Sequence, residues 1–236
     1  MEYASAPKEE TKPIIVQNQE PHKYKYTVSY GPMETRRRQV YFSNKERMHL
    51  TIAALLVIGV GLSFEVFYSV GYALVIAFAM ILTASFLLHE IAHKIAAQRE
   101  GLWAEFRLTL IGAIITLISV ITPFFKIISP GAVMIAGIGD RSYAGKVSIV
   151  GPATNMALSI MFLALTFAFP QNAALLGLFA LVAFFNAWMA VFNLIPIGIL
   201  DGFKVFMWDK KNWALAFAVS VILLILSYQL SSVYPL

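Results

Sequence analysis

The 236-residue chain is 59% hydrophobic and 13% charged, about half the charged fraction of a soluble globular domain, which excludes an ordinary soluble enzyme and points to a membrane protein. Its net charge of +5 would suit nucleic acid, but much of the basic excess flanks apolar segments, as the positive-inside rule requires, so the expected surroundings are a lipid bilayer and no nucleic acid. There is no cysteine, which removes disulfides, thiolate ligands and a cysteine nucleophile; a metal could use only carboxylates and the histidines His22, His49, His89 and His93.

Residues 1–47 form a polar, basic arm that includes Arg36, Arg37 and Arg38. The first long apolar run starts near residue 49, later than a secretory signal peptide would place it. Within the arm, alternation from His22 to Tyr30, a Gly31-Pro32 turn and a return over 38–42 suggest a small surface hairpin, with a disordered tail as the alternative. Ser43 to Glu46 fits a capping box, with Ser43 as N-cap and Glu46 at the third helical position.

The core, 48–236, contains apolar spans at 49–64, 67–97, 148–169, 172–195 and 212–232, each close to the length that crosses hydrocarbon. Segment 108–125 is apolar enough to be a sixth. Basic residues on both sides of it, Arg99 and Arg107 before and Lys126, Arg141 and Lys146 after, place both of its ends on one face, which favours a re-entrant or surface-embedded segment. Such backbone is tolerated only where protein or a wet cavity satisfies it. The run Gly131 to Gly137 is β-like. The expected fold is therefore an all-α polytopic bundle of five or six transmembrane helices, with a small β element at the cytosolic membrane surface. With the N-terminus cytosolic, in a multi-pass protein of the cell membrane, Lys204, Lys210 and Lys211 also fall on the cytosolic side.

His89-Glu90-Ile91-Ala92-His93 is H-E-x-x-H. Residues four apart share a helix face, so both imidazoles can hold one metal ion, with Glu90 beside them to take a proton from a water at that metal. Two imidazoles, a carboxylate and an open position form a catalytic zinc set. Three ionisable groups at membrane depth default to a functional reading. The third ligand must come from Glu65, Glu105, Asp140 or Asp201. Asp201 follows Asn193-Leu-Ile-Pro196-Ile-Gly198-Ile-Leu200 and precedes Gly202; taken alone, it would be a turn or cap residue. Depth favours it as a ligand. The helix ending near 97 and the one before Asp201 both run toward the cytosol, which brings their groups to one level, provided 108–125 does not cross.

H-E-x-x-H in one span together with N-x-x-P-x-x-x-L-D-G in a later one resembles the site-2 protease family of intramembrane zinc metalloproteases. Gly151-Pro152-Ala153-Thr154-Asn155 is similar to the family's G-P-x-x-N. The resemblance covers about residues 49–206 and implies one zinc per chain held by His89, His93 and Asp201. It also implies Glu90 as catalytic base, Asn193 steadying the substrate carbonyl or oxyanion, Asn155 as a structural or site-lining residue, and transmembrane proteins as substrates. Two positions depart from the pattern: Ile199 stands where many relatives have proline, and Phe203-Lys204 follow Gly202 where many continue D-G-G-[RH]. Both bear on the shape of the substrate groove rather than on the ligands. The interval 98–147 is too short for the PDZ domain that several relatives insert. A catalytically silent membrane-binding relative would not need every one of these residues, and a zinc or proton transporter would show paired sites or inverted repeats.

Reporter fusions at residues 103 and 140 should both report the cytosolic side. Opposite sides would mean that 108–125 crosses and that Asp201 lies far from the histidines.

Overall fold

The computed structural model describes residues 40–123, 126–136 and 141–234. The arm and its anticipated hairpin fall almost wholly outside these residues, as does Asp140. Helix α1 spans Asn44–Tyr68 and α2 spans Tyr72–Arg99, followed by strand β1, Trp103–Leu108, and helix α3, Leu110–Ile121. Strand β2, Gly131–Ala136, leads to α4, Arg141–Ala168, then α5, Ala173–Leu194, α6, Asp201–Trp208, and α7, Lys210–Val233. Among the described residues, α1, α2, α4, α5 and α7 are long and apolar enough to cross a membrane. The fold is the expected all-α polytopic bundle with a small β element.

Ser43 opens α1, its hydroxyl accepting the Glu46 N–H at 3.1 Å. Only half of the anticipated capping box forms. The Glu46 carboxylate turns inward to Lys94 of α2 at 2.5 Å, and its other oxygen accepts the Phe106 N–H of β1 at 2.9 Å. Both ionised side chains are sealed, with Glu46 0% and Lys94 1% exposed, and the Lys94 ammonium lies 4.1 Å from the centre of the Phe42 ring. Removing one partner would strand a buried charge, at a cost of about 3–5 kcal/mol. This pair fastens α1, α2 and β1 together at one end of the bundle.

Strands β1 and β2 are antiparallel, with Phe106 opposite Val133 and Leu108 opposite Gly131. Phe106 and Leu108 give their N–H groups to α1, to Glu46 and to His49 Nδ1. They therefore occupy the non-hydrogen-bonded positions of the ladder, where backbone groups point away from the partner strand. Val133 and Gly131 share those positions, so their N–H and C=O groups point the opposite way, off the free edge of β2.

The chain doubles back on helix α3. Thr109 caps it through Gly112 N–H at 3.2 Å, and its far end reaches the end of α1, where Tyr68 donates to Pro123 O at 2.9 Å. The chain then returns along this helix. Ser119 Oγ accepts the Ile127 N–H at 2.9 Å, Thr116 Oγ1 accepts the Ser129 N–H at 3.2 Å, and Thr109 N–H closes on Pro130 O at 3.1 Å. Side-chain oxygens on one face of α3 thus satisfy backbone that has no ladder of its own. Lys126 is anchored by Ser63 Oγ at 2.7 Å and Ser119 O at 2.8 Å, beside the Phe64 and Phe67 rings.

The core runs between α1, α2 and α5, where Phe64, Phe78 and Phe185 meet edge to face. Helix α5 is central; it ends at Leu194 because Pro196 cannot continue it, and the freed Leu194 carbonyl accepts Trp213 Nε1–H of α7 at 2.8 Å.

Candidate metal centre

Three elements converge on one point. Helix α2 supplies His89 and His93, whose Nε2 atoms lie 3.1 Å apart. The first residue of α6 supplies Asp201, whose Oδ2 is 2.9 Å from His93 Nε2 and 3.6 Å from His89 Nε2. These potential ligand atoms all fall within 4.8 Å of one another. Helix α4 supplies the support.

The outer nitrogens of the two rings are held differently. His93 Nδ1 donates to the backbone carbonyl of Val147 at 2.9 Å, and His89 Nδ1 donates to Asn155 Oδ1 at 2.5 Å. Both acceptors place the proton on Nδ1 and leave the Nε2 lone pairs facing inward, the arrangement that metal-ligating histidines adopt. The donor set therefore fits zinc: two neutral imidazole nitrogens and one carboxylate oxygen, with room for a further ligand. Asp201 turns its Oδ2 toward both Nε2 atoms. Its other oxygen, Oδ1, lies 3.5 Å from Lys204 Nζ.

Two glycines make this convergence possible. A methyl group on Gly151 would fall inside van der Waals contact of both Nε2 atoms, so α4 can approach the ligands only with no side chain there. A methyl group on Gly202 would strike the Leu194 carbonyl, so only glycine lets α6 start tight against the end of α5 and carry Asp201 to the histidines. Pro152 lies within α4, and the Val147 carbonyl, one turn before it, is the one that takes the His93 proton.

A cavity of about 580 Å³ opens on the site. Glu90 and Asn193 both line it, together with Gly131 and Val133 of β2 and the apolar Phe86, Ile115 and Met189. Glu90 lies beside the ligands on α2, and the Val133 N–H is directed at its carboxylate. Asn193 is half-buried, one amide N–H going to Met189 O at 2.9 Å. Among the described residues, the other candidate carboxylates are engaged elsewhere: Glu105 pairs with Arg107, and Glu65 Oε2 accepts the Gly71 N–H at 2.6 Å. His49 serves β1. Asn186 and Val147 were not singled out from the sequence as parts of this site. For Asn186 the signal was an amide in an otherwise apolar span, a type of residue rarely left unpaired there.

The chain is 33% identical over 182 residues to a protein of Methanocaldococcus jannaschii named "Putative zinc metalloprotease MJ0611"; the match covers 74% of this chain and 90% of that one. It is 32% identical over 142 residues to "Putative zinc metalloprotease Rip3" of Mycobacterium tuberculosis, covering 57% of this chain and 32% of that longer protein. No family model and no solved structure matches.

Gly151→Ala tests the close approach of α4. It should abolish or sharply reduce bound zinc in the purified protein while the chain still folds, as judged by metal analysis beside a circular dichroism melt. Full zinc content in this variant would show that α4 is not pressed against the ligands.

Proposed function

Because the chain belongs to the site-2 protease family of zinc metalloproteases, we propose that it is an intramembrane zinc endopeptidase, cleaving peptide bonds in or near transmembrane segments of membrane-protein substrates. The observation that carries this reading is the meeting of His89, His93 and Asp201 at the wall of a cavity inside an apolar bundle, with Glu90 beside them. His89 lies ten residues before Arg99, about 15 Å along the helix axis from that end, so in a bilayer entered from the cytosolic side the chemistry would be held at depth. The same frame makes the β1–β2 sheet cytosolic and the segment 108–125 re-entrant, since Thr109 and Pro130 meet at its base.

His89, His93 and Asp201 would hold one zinc, which supplies, when bound, the Lewis acidity that makes a water nucleophilic and polarises a carbonyl. Glu90 accepts the proton of the attacking water and returns it to the leaving amine. Asn193, in the same wall, donates its free amide N–H to the developing oxyanion. Asn155 and the Val147 carbonyl keep the two ligand rings oriented. The free edge of β2 holds substrate. A transmembrane helix hides its peptide bonds, so it must unwind before cleavage, and an extended segment can then pair with the backbone groups of Gly131 and Val133. The Val133 N–H directed at Glu90 supports this, because a strand added there would pass within reach of the base.

Purified Glu90→Gln should keep its zinc and lose proteolysis, whereas Asp201→Ala should lose both. Asn193→Ala should keep zinc and lose about 10²–10³ in turnover, the usual worth of one oxyanion donor. Wild-type zinc content with no cleavage of any membrane substrate would favour a silent membrane-binding relative, and zinc flux in sealed vesicles a transporter.

Ile135→Pro removes one N–H from the same edge without touching the β1 ladder or the Val133 N–H directed at Glu90. It should cut cleavage of a transmembrane substrate at least tenfold and leave zinc content unchanged. Undiminished cleavage would rule out strand addition at this edge.

A further inference from the structure

Behind His89, Asn155 is the first of a chain of buried amides. Asn155 Oδ1 accepts from His89, and Asn155 Nδ2 donates to Asn186 Oδ1 of α5 at 3.0 Å. Asn186 Nδ2 in turn donates to Val182 O at 2.9 Å and to Ser85 Oγ of α2 at 3.1 Å. Asn155 and Asn186 are 0% exposed and Ser85 is 2% exposed, so bulk water cannot compete to turn either amide.

The directions in this chain follow from its far end. Val182 O is a carbonyl and can only accept. Ser85 commits its single hydrogen to Ile81 O at 3.0 Å, so toward Asn186 it too can only accept. Two acceptors on one side require the amide nitrogen of Asn186 there, which turns Oδ1 to Asn155. An amide oxygen can only accept, so Asn155 must present its nitrogen to Asn186 and its oxygen to His89. His89 must then carry its proton on Nδ1. His93 has no such chain; a backbone carbonyl sets its proton directly.

We propose that Asn186 is a positioning residue of the metal centre: acting through Asn155, it fixes which nitrogen of His89 carries the proton and keeps the Nε2 lone pair turned to the metal. This rests on the zinc reading above. Without Asn186 the Asn155 amide can flip, offering N–H to Nδ1. That stabilises the tautomer with its proton on Nε2, which cannot ligate.

The test measures zinc affinity of the full-length, detergent-solubilised chain by competition with a chromogenic chelator. Asn186→Leu should weaken zinc by about 10–100-fold, the usual range for loss of outer-sphere support. Asn186→Ser, which has no acceptor within reach of Asn155, should do the same and covers the case that leucine does not pack. Asn186→Asp keeps an acceptor toward Asn155 and, protonated in this apolar setting, a donor toward Val182 O, so its affinity should stay within a few-fold of wild type. In an Asn155→Asp background the carboxylate accepts from His89 either way round, and Asn186→Leu should add no further loss.

Wild-type affinity in both Asn186→Leu and Asn186→Ser would overturn the proposal. So would an equal loss from Asn186→Leu in the Asn155→Asp background, which would make Asn186 a packing residue only. A wild-type chain that binds no zinc at all would overturn the metal reading itself, and this inference with it.

Discussion

Hydrocarbon offers no hydrogen-bond partner, so every polar group carried into such a bundle must be answered by the chain itself. Lys94 is met by Glu46, Lys126 by Ser63 and Ser119, and Ser159 by the Ala183 carbonyl at 2.9 Å. The return strand after α3 is met by Thr109, Thr116 and Ser119. The outer nitrogens of His89 and His93 are met by Asn155 and Val147. Facing the cavity are two inward Nε2 atoms, one carboxylate oxygen of Asp201, the Glu90 carboxylate and the edge of β2. Satisfying most of the other buried polar groups concentrates reactivity on one wall.

The two sides of the small sheet show the same logic. A bare strand edge attracts any passing strand. The edge of β1 is closed by Glu46 and His49, which take the Phe106 and Leu108 N–H groups. Only the β2 edge stays open, and it opens onto the cavity. The Glu46–Lys94 pair is therefore more than a tie between helices. Lys94 follows His93 directly in α2, so the same turn that carries a ligand also anchors the strand pair, and the distance between ligand and open edge is set over a short, stiff path.

Close approach is the other constraint. Gly151 and Gly202 stand where a single methyl group would collide with the ligands or with the end of α5. The two prolines in these segments act on the backbone around them: Pro196 ends α5 before Asp201, and Pro152 follows the turn of α4 whose Val147 carbonyl bonds His93. The G-P-x-x-N and N-x-x-P-x-x-x-L-D-G segments are thus packing instructions as much as chemical ones.

The spans were legible because unbroken apolar runs long enough to cross hydrocarbon have few other uses, and their order put Asp201 at the level of the histidines. H-E-x-x-H was legible because the period of the helix alone puts both imidazoles on one face. The capping box showed the limit of local reasoning: Ser43 does cap, but Glu46 has a partner 48 residues away that outcompetes the backbone beside it. Asn186 was visible only as an amide in an apolar helix; its link to His89 runs through three helices and depends on the facing of each amide. By itself, then, the sequence determined the helices, the spacing of the two imidazoles and the supply of donors. Which carbonyl takes the His93 proton, which strand edge stays open and which amide orients His89 were decided only by tertiary structure. Hydrogen bonds act over about 3 Å between residues that chain order leaves far apart.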